Sequence, residues 1–113
     1  MNKEFQKQSY KTLFFLLEEF YTETKNDSVG VLLGSMDFEL FDGSDSADPA
    51  MFEDFCDCLN DCYKNTSTEN IQTAFSAAKQ FLKFYKNEFG FNLSDVEEYI
   101  DYKKFEEEFV KLI

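Results

Sequence analysis

The 113-residue chain has no histidine and no tryptophan, and it has only one proline and four glycines. Without histidine, a serine or cysteine nucleophile lacks its usual general base. The four glycines, at positions 30, 34, 43 and 90, are scattered, so they form no glycine-rich loop that could hold a phosphate group. We therefore expect a protein that is not an enzyme and that needs no cofactor.

Positive charge is also scarce, because 11 basic residues stand against 23 acidic ones and leave a formal net charge of −12. Such a field repels nucleic-acid phosphates and anionic lipid headgroups. Opposite charge accelerates encounter with a cationic protein. We expect a basic protein partner, no nucleic acid and no membrane. The alternative is that the acidity only maintains solubility.

Long hydrophobic runs are missing as well. The longest nearly uncharged apolar run, residues 13–17, is far too short to span a bilayer. The first residues show no basic, apolar and small-residue segments in the order typical of a secretory signal. Three cysteines are an odd number, which suits a reducing compartment better than a disulfide framework. These features predict a cytoplasmic location.

The cysteines lie close together, at Cys56, Cys58 and Cys62. Thiolates bind zinc well. On a helix, however, Cys56 and Cys58 point about 200° apart, so the three thiols cannot converge on one ion. We therefore predict no metal site and interpret these cysteines as small buried apolar residues.

A second metal motif is only partly present. Residues 42–53 have the length of a calcium loop, with oxygen-bearing side chains at the expected places. Ala47, however, occupies the sixth place, where the sharp turn needs glycine, and Pro49 occupies the eighth. We interpret the match as chance, and a metal sensor is the weakest alternative.

What the chain does have is aromatic residues: 15 Phe and 6 Tyr. Large rings must therefore fill most of the core. Apolar residues recur at steps of three and four, which predicts helices. We predict an all-α fold, a single-domain bundle of about five helices over residues 1–113 with an aromatic-rich core and one extended acidic loop.

The first three predicted helices follow from this spacing and from capping residues. One long helix covers residues 5–21. A short helix follows over residues 29–33, with Asp27 or Ser28 as its N-cap. A third helix starts strongly at Asp48-Pro49 and continues to about residue 64, because aspartate accepts from free backbone amides and proline fits the first helical position.

Two further helices complete the prediction. Residues 66–68 (TST) cap a helix over residues 69–88, which Gly90 terminates. Ser94 and Glu97 have capping-box spacing and start a last helix that reaches residue 113. We expect the first, fourth and fifth helices to enclose the core, with the acidic side of the third helix facing outward.

Between the second and third helices, residues 36–40 alternate apolar and polar side chains with the period of a strand. No second alternating segment offers a partner. We predict an extended stretch that leads into a loop over residues 41–47. Pairing of this stretch with a partner, or with a second copy in a homodimer, would make the protein a small adaptor or regulatory domain.

Negative charge is concentrated in residues 36–65, where nine acidic residues stand against Lys64 alone, a net −8 of the total −12. Such self-repulsion costs stability, so its concentration favours a function for this region. The alternative is a solvated face with carboxylates at a helix N-terminus. We predict a partner-binding site with apolar contacts from the two phenylalanines of the loop. Its residues are Asp37, Phe38, Glu39, Phe41, Asp42, Asp45, Glu53, Asp54, Asp57 and Asp61.

Short motifs across residues 10–59 resemble a family of small acidic bacterial proteins. These motifs are SVGVLLGSM at 28–36, DG at 42–43, ADPA at 47–50 and FEDF at 52–55. The family is similar to immunity proteins of contact-dependent growth inhibition and related polymorphic toxin systems. It has tryptophan after the Asp-Pro-Ala motif, where this chain has Phe52 and Phe55.

The resemblance implies a cytoplasmic protein that neutralises a cognate toxin domain, for instance a nuclease, by tight binding. It supplies no catalytic residues. Under this hypothesis the acidic site covers the basic substrate-binding surface of the toxin. The adaptor remains the alternative, and its binding through backbone pairing should respond little to salt.

Overall fold

Six helices follow one another along the residues that the computed structural model describes, which are 1–37 and 48–112. They are α1 (Lys3–Thr24), α2 (Asp27–Met36), α3 (Pro49–Thr66), α4 (Ile71–Phe89), α5 (Ser94–Tyr99) and α6 (Tyr102–Lys111). The predicted all-α bundle with an aromatic core is confirmed. The predicted acidic loop lies outside the described residues.

Helix α2 differs from its prediction at both ends. Its N-cap is Asn26, whose side chain accepts from the backbone N–H of Val29 at 3.1 Å. The predicted caps are wrong, because Asp27 is already helical and the Ser28 hydroxyl accepts from the backbone N–H of Asn92 instead. The helix also continues to Met36, which is fully buried. The extended stretch predicted from residue 36 is therefore wrong at its first residue, and residues 38–40 lie outside the described part.

Helix α3 begins as predicted. The Asp48 side chain accepts from the backbone N–H of Ala50 at 3.0 Å, and Pro49 is the first helical residue. The backbone N–H of Asp48 also donates to the Ser35 oxygen at 2.9 Å. This bond ties the end of α2 to the start of α3.

Helix α4 ends at Gly90 as predicted, where the backbone turns left-handed with φ 71°. Its predicted start is wrong. The N-cap is Asn70, whose side chain accepts from the backbone N–H of Thr73 at 3.0 Å. The TST segment performs another task, because Ser67 takes the left-handed conformation that terminates α3. The hydroxyls of Thr66 and Thr73 lie 3.0 Å apart and close the turn.

The last predicted helix is two helices. Ile100 is fully buried and leaves the helical conformation, and Asp101 then caps α6 by accepting from the backbone N–H of Lys104 at 2.8 Å. The predicted capping box is also wrong. Leu93 is the N-cap of α5 and makes no side-chain cap bond, and Ser94 is already helical.

The core is assembled from rings on α1, α3, α4 and α6. Tyr10 of α1 is 1% exposed and makes edge-to-face contacts with Phe52 and Phe55, with ring centroids 5.1 and 5.4 Å apart. Phe55 contacts Phe81 of α4 at 5.6 Å. The most extensive helix contact joins α3 to α4, so α3 contributes more to the core than predicted. No helix within the described ranges is both long and apolar enough to cross a membrane.

Candidate protein-binding site

Helix α3 has one buried side and one charged side. Phe52, Phe55 and Leu59 are among its buried residues. Glu53, Asp57 and Asp61 are exposed on the other side, because residues four apart lie one above another on a helix. Asp54 lies beside them and is half-buried. We call Glu53, Asp54, Asp57 and Asp61 the acidic face.

Asp54 is anchored to the core by Tyr85 of α4. The Tyr85 hydroxyl donates to Asp54 Oδ2 at 2.6 Å and contacts the Met51 sulfur at 3.0 Å. The carboxylate is the stronger acceptor of the single phenolic proton. Burial and then this hydrogen bond raise the pKa of Tyr85 well above its usual value. The donor therefore remains protonated, and the Asp54 carboxylate is held in place.

The remaining contacts of the acidic face leave its charge in place. Gln80 of α4 donates through Nε2 to Asp61 Oδ2 at 3.1 Å, which orients this carboxylate without neutralising it. The described residues form two ion pairs, Lys86 with Glu97 at 2.9 Å and Lys111 with Glu108 at 3.9 Å. Neither of them involves the acidic face.

A groove of about 360 Å³ lies between α3 and α4 beside the acidic face. Its lining residues are Asp54, Asp57, Cys58, Asp61, Gln80, Lys83, Phe84 and Asn87. Phe84 is 41% exposed although its ring is large and apolar. Carboxylates and an aromatic ring thus border the same groove.

Phe84 also belongs to an exposed aromatic patch at the end of α4. Its ring lies 6.0 Å from that of Phe89, which is 58% exposed, and Phe89 stacks on Tyr85 at 5.1 Å. Phe91 stacks on Tyr85 at 6.1 Å and lies tilted against Phe89 at 6.3 Å. A second cavity of about 300 Å³ lies here and is lined by Asp48, Asp54 and exposed Val31 among others. The apolar patch therefore adjoins the acidic face.

The predicted site residues fall into three groups. Glu53, Asp54, Asp57 and Asp61 come together on the acidic face. Asp37 is half-buried at the end of α2, where its backbone N–H donates to the Leu33 oxygen at 3.0 Å. The remaining five, Phe38, Glu39, Phe41, Asp42 and Asp45, lie outside the described residues, so their part of the prediction stays a prediction.

Sequence reasoning missed the residues that α4 contributes to the groove. Phe84 lies off the buried stripe of α4, which contains Phe81, Leu82 and Tyr85. A large apolar residue on the polar side of an amphipathic helix was the available signal. Gln80 and Asn87 give no such signal, because polar residues on that side are expected.

The thiols are built into the core. Cys58 and Cys62 are buried, as predicted, and Cys56 is half-buried. Burial, and then the neighbouring Cys62, raise the pKa of Cys58 to about 12, and burial also raises that of Cys62. Protonated thiols are poor nucleophiles and metal ligands. Among the residues that the structure describes, no three metal-binding side chains are grouped to hold an ion.

The calcium-loop pattern can be followed only at its end. Residues 42–47 lie outside the described part. In the remainder, the Asp48 carboxylate caps α3, and Glu53 stands on the outer side of that helix. The end of the pattern is therefore a helix start in this structure.

We compared the chain with protein-family models, curated proteins and solved structures, and found no match. The likeness to immunity proteins thus remains a resemblance carried by short motifs. The acidic face and the adjoining groove are the structural features from which a function can be argued.

Proposed function

We propose that this protein is an immunity protein, which binds a basic toxin domain through the acidic face of α3 and thereby neutralises it. One observation carries the proposal. Glu53, Asp57 and Asp61 stand exposed in four-residue steps on one side of α3, outside the ion pairs of the described residues. An aligned row of carboxylates that outnumber the neighbouring Lys83 is complementary to a cationic surface.

Electrostatic attraction gives such a protein the speed that immunity needs. Complementary charge raises association rate constants from about 10⁵–10⁶ to as much as about 10⁸–10⁹ M⁻¹s⁻¹ at low salt. The net charge of −12 acts in the same direction at longer range. A toxin that cleaves nucleic acid must itself present a basic surface to bind phosphates. The acidic face would occupy that surface and exclude the substrate.

Durable affinity requires buried apolar contacts in addition to charge. Interfaces draw most of their binding energy from a few desolvated side chains, among which aromatic residues are prominent. Phe84 and Phe89 are exposed beside the acidic face and are available for this role. Phe38 and Phe41, predicted for it from the sequence, lie outside the described residues.

The proposal predicts that a reading frame for a toxin lies next to this gene, and the test is protection of cells against the toxin domain of that frame. We expect wild-type protein to restore growth on co-expression and Asp57→Lys/Asp61→Lys to fail. The matched control is Glu106→Lys/Glu107→Lys on α6, since both pairs of reversals change the net charge from −12 to −8. The control should protect, because its residues lie off the acidic face.

Binding kinetics of the purified toxin domain separate the proposal from the adaptor alternative. Raising salt from about 0.1 to 1 M shortens the Debye length from about 10 to 3 Å. We expect the association rate constant to fall at least about tenfold for wild type and to fall less for Asp57→Lys/Asp61→Lys, whose remaining net charge of −8 still attracts the toxin. Equal protection by the wild type and both double variants would contradict the proposal. So would an association rate constant that does not change with salt.

A further inference from the structure

We infer that the groove between α3 and α4 receives an arginine side chain of the cationic partner. The inference rests on the proposed function and specifies which residue type the partner inserts. It concerns the groove bordered by Asp54, Asp57, Asp61 and Phe84. At about 360 Å³ this groove lies at the small end of the range of binding pockets, about 300–1,000 Å³.

The carboxylate wall is organised before any partner arrives. Tyr85 holds Asp54 through a hydrogen bond of 2.6 Å, and Gln80 holds Asp61 through one of 3.1 Å. Both carboxylates belong to a single helix, so their spacing is fixed. Binding groups that are already in position lose little conformational entropy when a ligand arrives. Asp54 and Asp61 lie seven residues, about 10 Å, apart along α3, so a guanidinium bonds one of these carboxylates and is attracted by the others at longer range.

The opposite wall distinguishes arginine from lysine. A guanidinium group is planar, stacks on aromatic rings and donates parallel hydrogen bonds to a carboxylate. An ammonium group is compact and strongly hydrated, so it gains less from an apolar wall. The exposed Phe84 ring offers the stacking surface, and buried Cys58 adds a further apolar contact. An arginine side chain can therefore interact with the carboxylates of one wall and the aromatic ring of the other.

A second copy of this chain cannot supply the occupant. All 11 basic residues are lysines, and the sequence contains no arginine. Two copies would also bring together net charges of −12. Lys83 lines the groove and adds positive charge, so it should weaken the binding of any cation. The occupant must therefore come from a different protein that is rich in positive charge.

Titration of the full chain with two small probes tests this inference. The probes are N-acetyl-arginine amide and N-acetyl-lysine amide, which carry the same charge and backbone. In ¹⁵N-resolved NMR spectra, we expect the arginine probe to shift the amides of residues 57–61 and 80–87 with saturation. The lysine probe should bind about threefold more weakly, which corresponds to one exposed cation–π contact. Equal binding of both probes, or shifts spread over all helices, would overturn the inference.

Four variants locate the cause of the preference. Phe84→Leu keeps the apolar volume but removes the ring, so the preference for arginine should decrease to the part that comes from its hydrogen bonds to a carboxylate. Asp57→Asn/Asp61→Asn should weaken both probes, and Lys83→Gln should strengthen both. The control Glu106→Gln/Glu107→Gln on α6 makes the same charge change as the aspartate pair and should leave both affinities unchanged. A preference that is as large in Phe84→Leu as in the wild type would also overturn the inference.

The two proposals fail in different ways. If Asp57→Lys/Asp61→Lys abolishes protection but the arginine probe does not enter the groove, the arginine site is wrong and the immunity function stands. If the probe binds the groove but the charge reversals leave protection intact, the proposed function is wrong. Circular dichroism and thermal unfolding of each variant verify that the fold is retained.

Discussion

The hydroxyl of Tyr85 donates a 2.6 Å hydrogen bond to the carboxylate of Asp54, and this bond joins the interior of the bundle to its acidic face. Tyr85 is 6% exposed and its ring contacts Phe81 at 4.9 Å, so the donor is fixed by core packing. Asp54 in turn borders the groove between α3 and α4. The arrangement of the surface charges therefore depends on the packing of the core.

Removing this bond should lower stability. Tyr85→Phe keeps the ring but leaves a half-buried carboxylate without its donor. Hydrogen bonds to charged groups contribute about 1.5–3 kcal/mol, so we expect urea unfolding to give a loss of about 1.5 kcal/mol. The control is Tyr63→Phe, at an exposed tyrosine of α3, which should change the free energy of unfolding by less than about 0.5 kcal/mol. Equal losses in the two variants would refute the assigned role.

Alkaline pH should destabilise the fold. Burial raises the pKa of Cys58 from its usual 9.0 to about 12, and burial with the Asp54 hydrogen bond raises that of Tyr85 from 10.0. Both groups hold their protons more tightly in the folded chain. Their contribution is therefore complete below the unfolded-state pKa values, near 9 and 10, and is lost as pH rises toward the folded ones.

Unfolding in urea at pH 7 and at steps above pH 9 measures this effect. The free energy of unfolding should decline steadily above pH 9 in the wild type. Cys58→Ala/Tyr85→Phe should show a shallower decline, because two of the groups whose protons are released on unfolding are absent. A wild-type profile that stays flat from pH 7 to 11 would rule out this linkage.

The sequence pattern predicts a cap at Ser94, whereas the structure has a capping side chain at Asp101, between α5 and α6. Asp101→Ala should cost about 1 kcal/mol, because its side chain caps α6 through the backbone N–H of Lys104. Ser94→Ala should be nearly neutral, since Ser94 is helical and Leu93 holds the cap position without a side-chain bond. Thermal unfolding compares the two variants directly. A larger loss of stability for Ser94→Ala than for Asp101→Ala would contradict this assignment and support the capping box.

Two glycines of α2 should respond differently to alanine. Gly34 is exposed and a Cβ there meets no atom within 4 Å, so Gly34→Ala should stabilise by about 0.5–1 kcal/mol through helix propensity. At Gly30 a Cβ would lie 2.8 Å from Tyr21 Cε1, so the ring must move and the gain should be lost. Denaturant unfolding checks the order. A Gly30→Ala variant as stable as Gly34→Ala would show that the Tyr21 ring moves aside without loss of stability.

The sequence predicted helix ends correctly where a residue type has one strongly preferred structural role. Asp48-Pro49 marked the start of α3 because aspartate is a good cap and proline tolerates the first helical position. Gly90 marked the end of α4 because its backbone must turn left-handed. The outward side of α3 followed from helical periodicity alone, which placed Glu53 and Asp57 opposite Phe55.

The errors occurred where tertiary contacts decided between equivalent local choices. Asn26 and Asn70 cap α2 and α4, although serine, threonine or aspartate stood nearby as alternatives. The break at Ile100 was invisible because the apolar repeat continues through it, and only burial of that side chain in the folded core distinguishes it. The groove depends on which side of α4 faces α3, and this cannot be obtained from either helix separately.

The contacts between aromatic rings form a continuous path through the molecule. They lead from Tyr10 through Phe55, Phe81 and Tyr85 to Phe89 at the surface. Circulating electrons in each ring shift the magnetic resonances of neighbouring nuclei, so a rotation of Phe89 should shift the resonances of Tyr85, the buried ring on which it stacks. Binding of a partner at Phe89 can therefore be followed from the resonances of Tyr85, without a label on either molecule. The absence of tryptophan adds a second reporter, since any indole fluorescence in a complex would come from the partner.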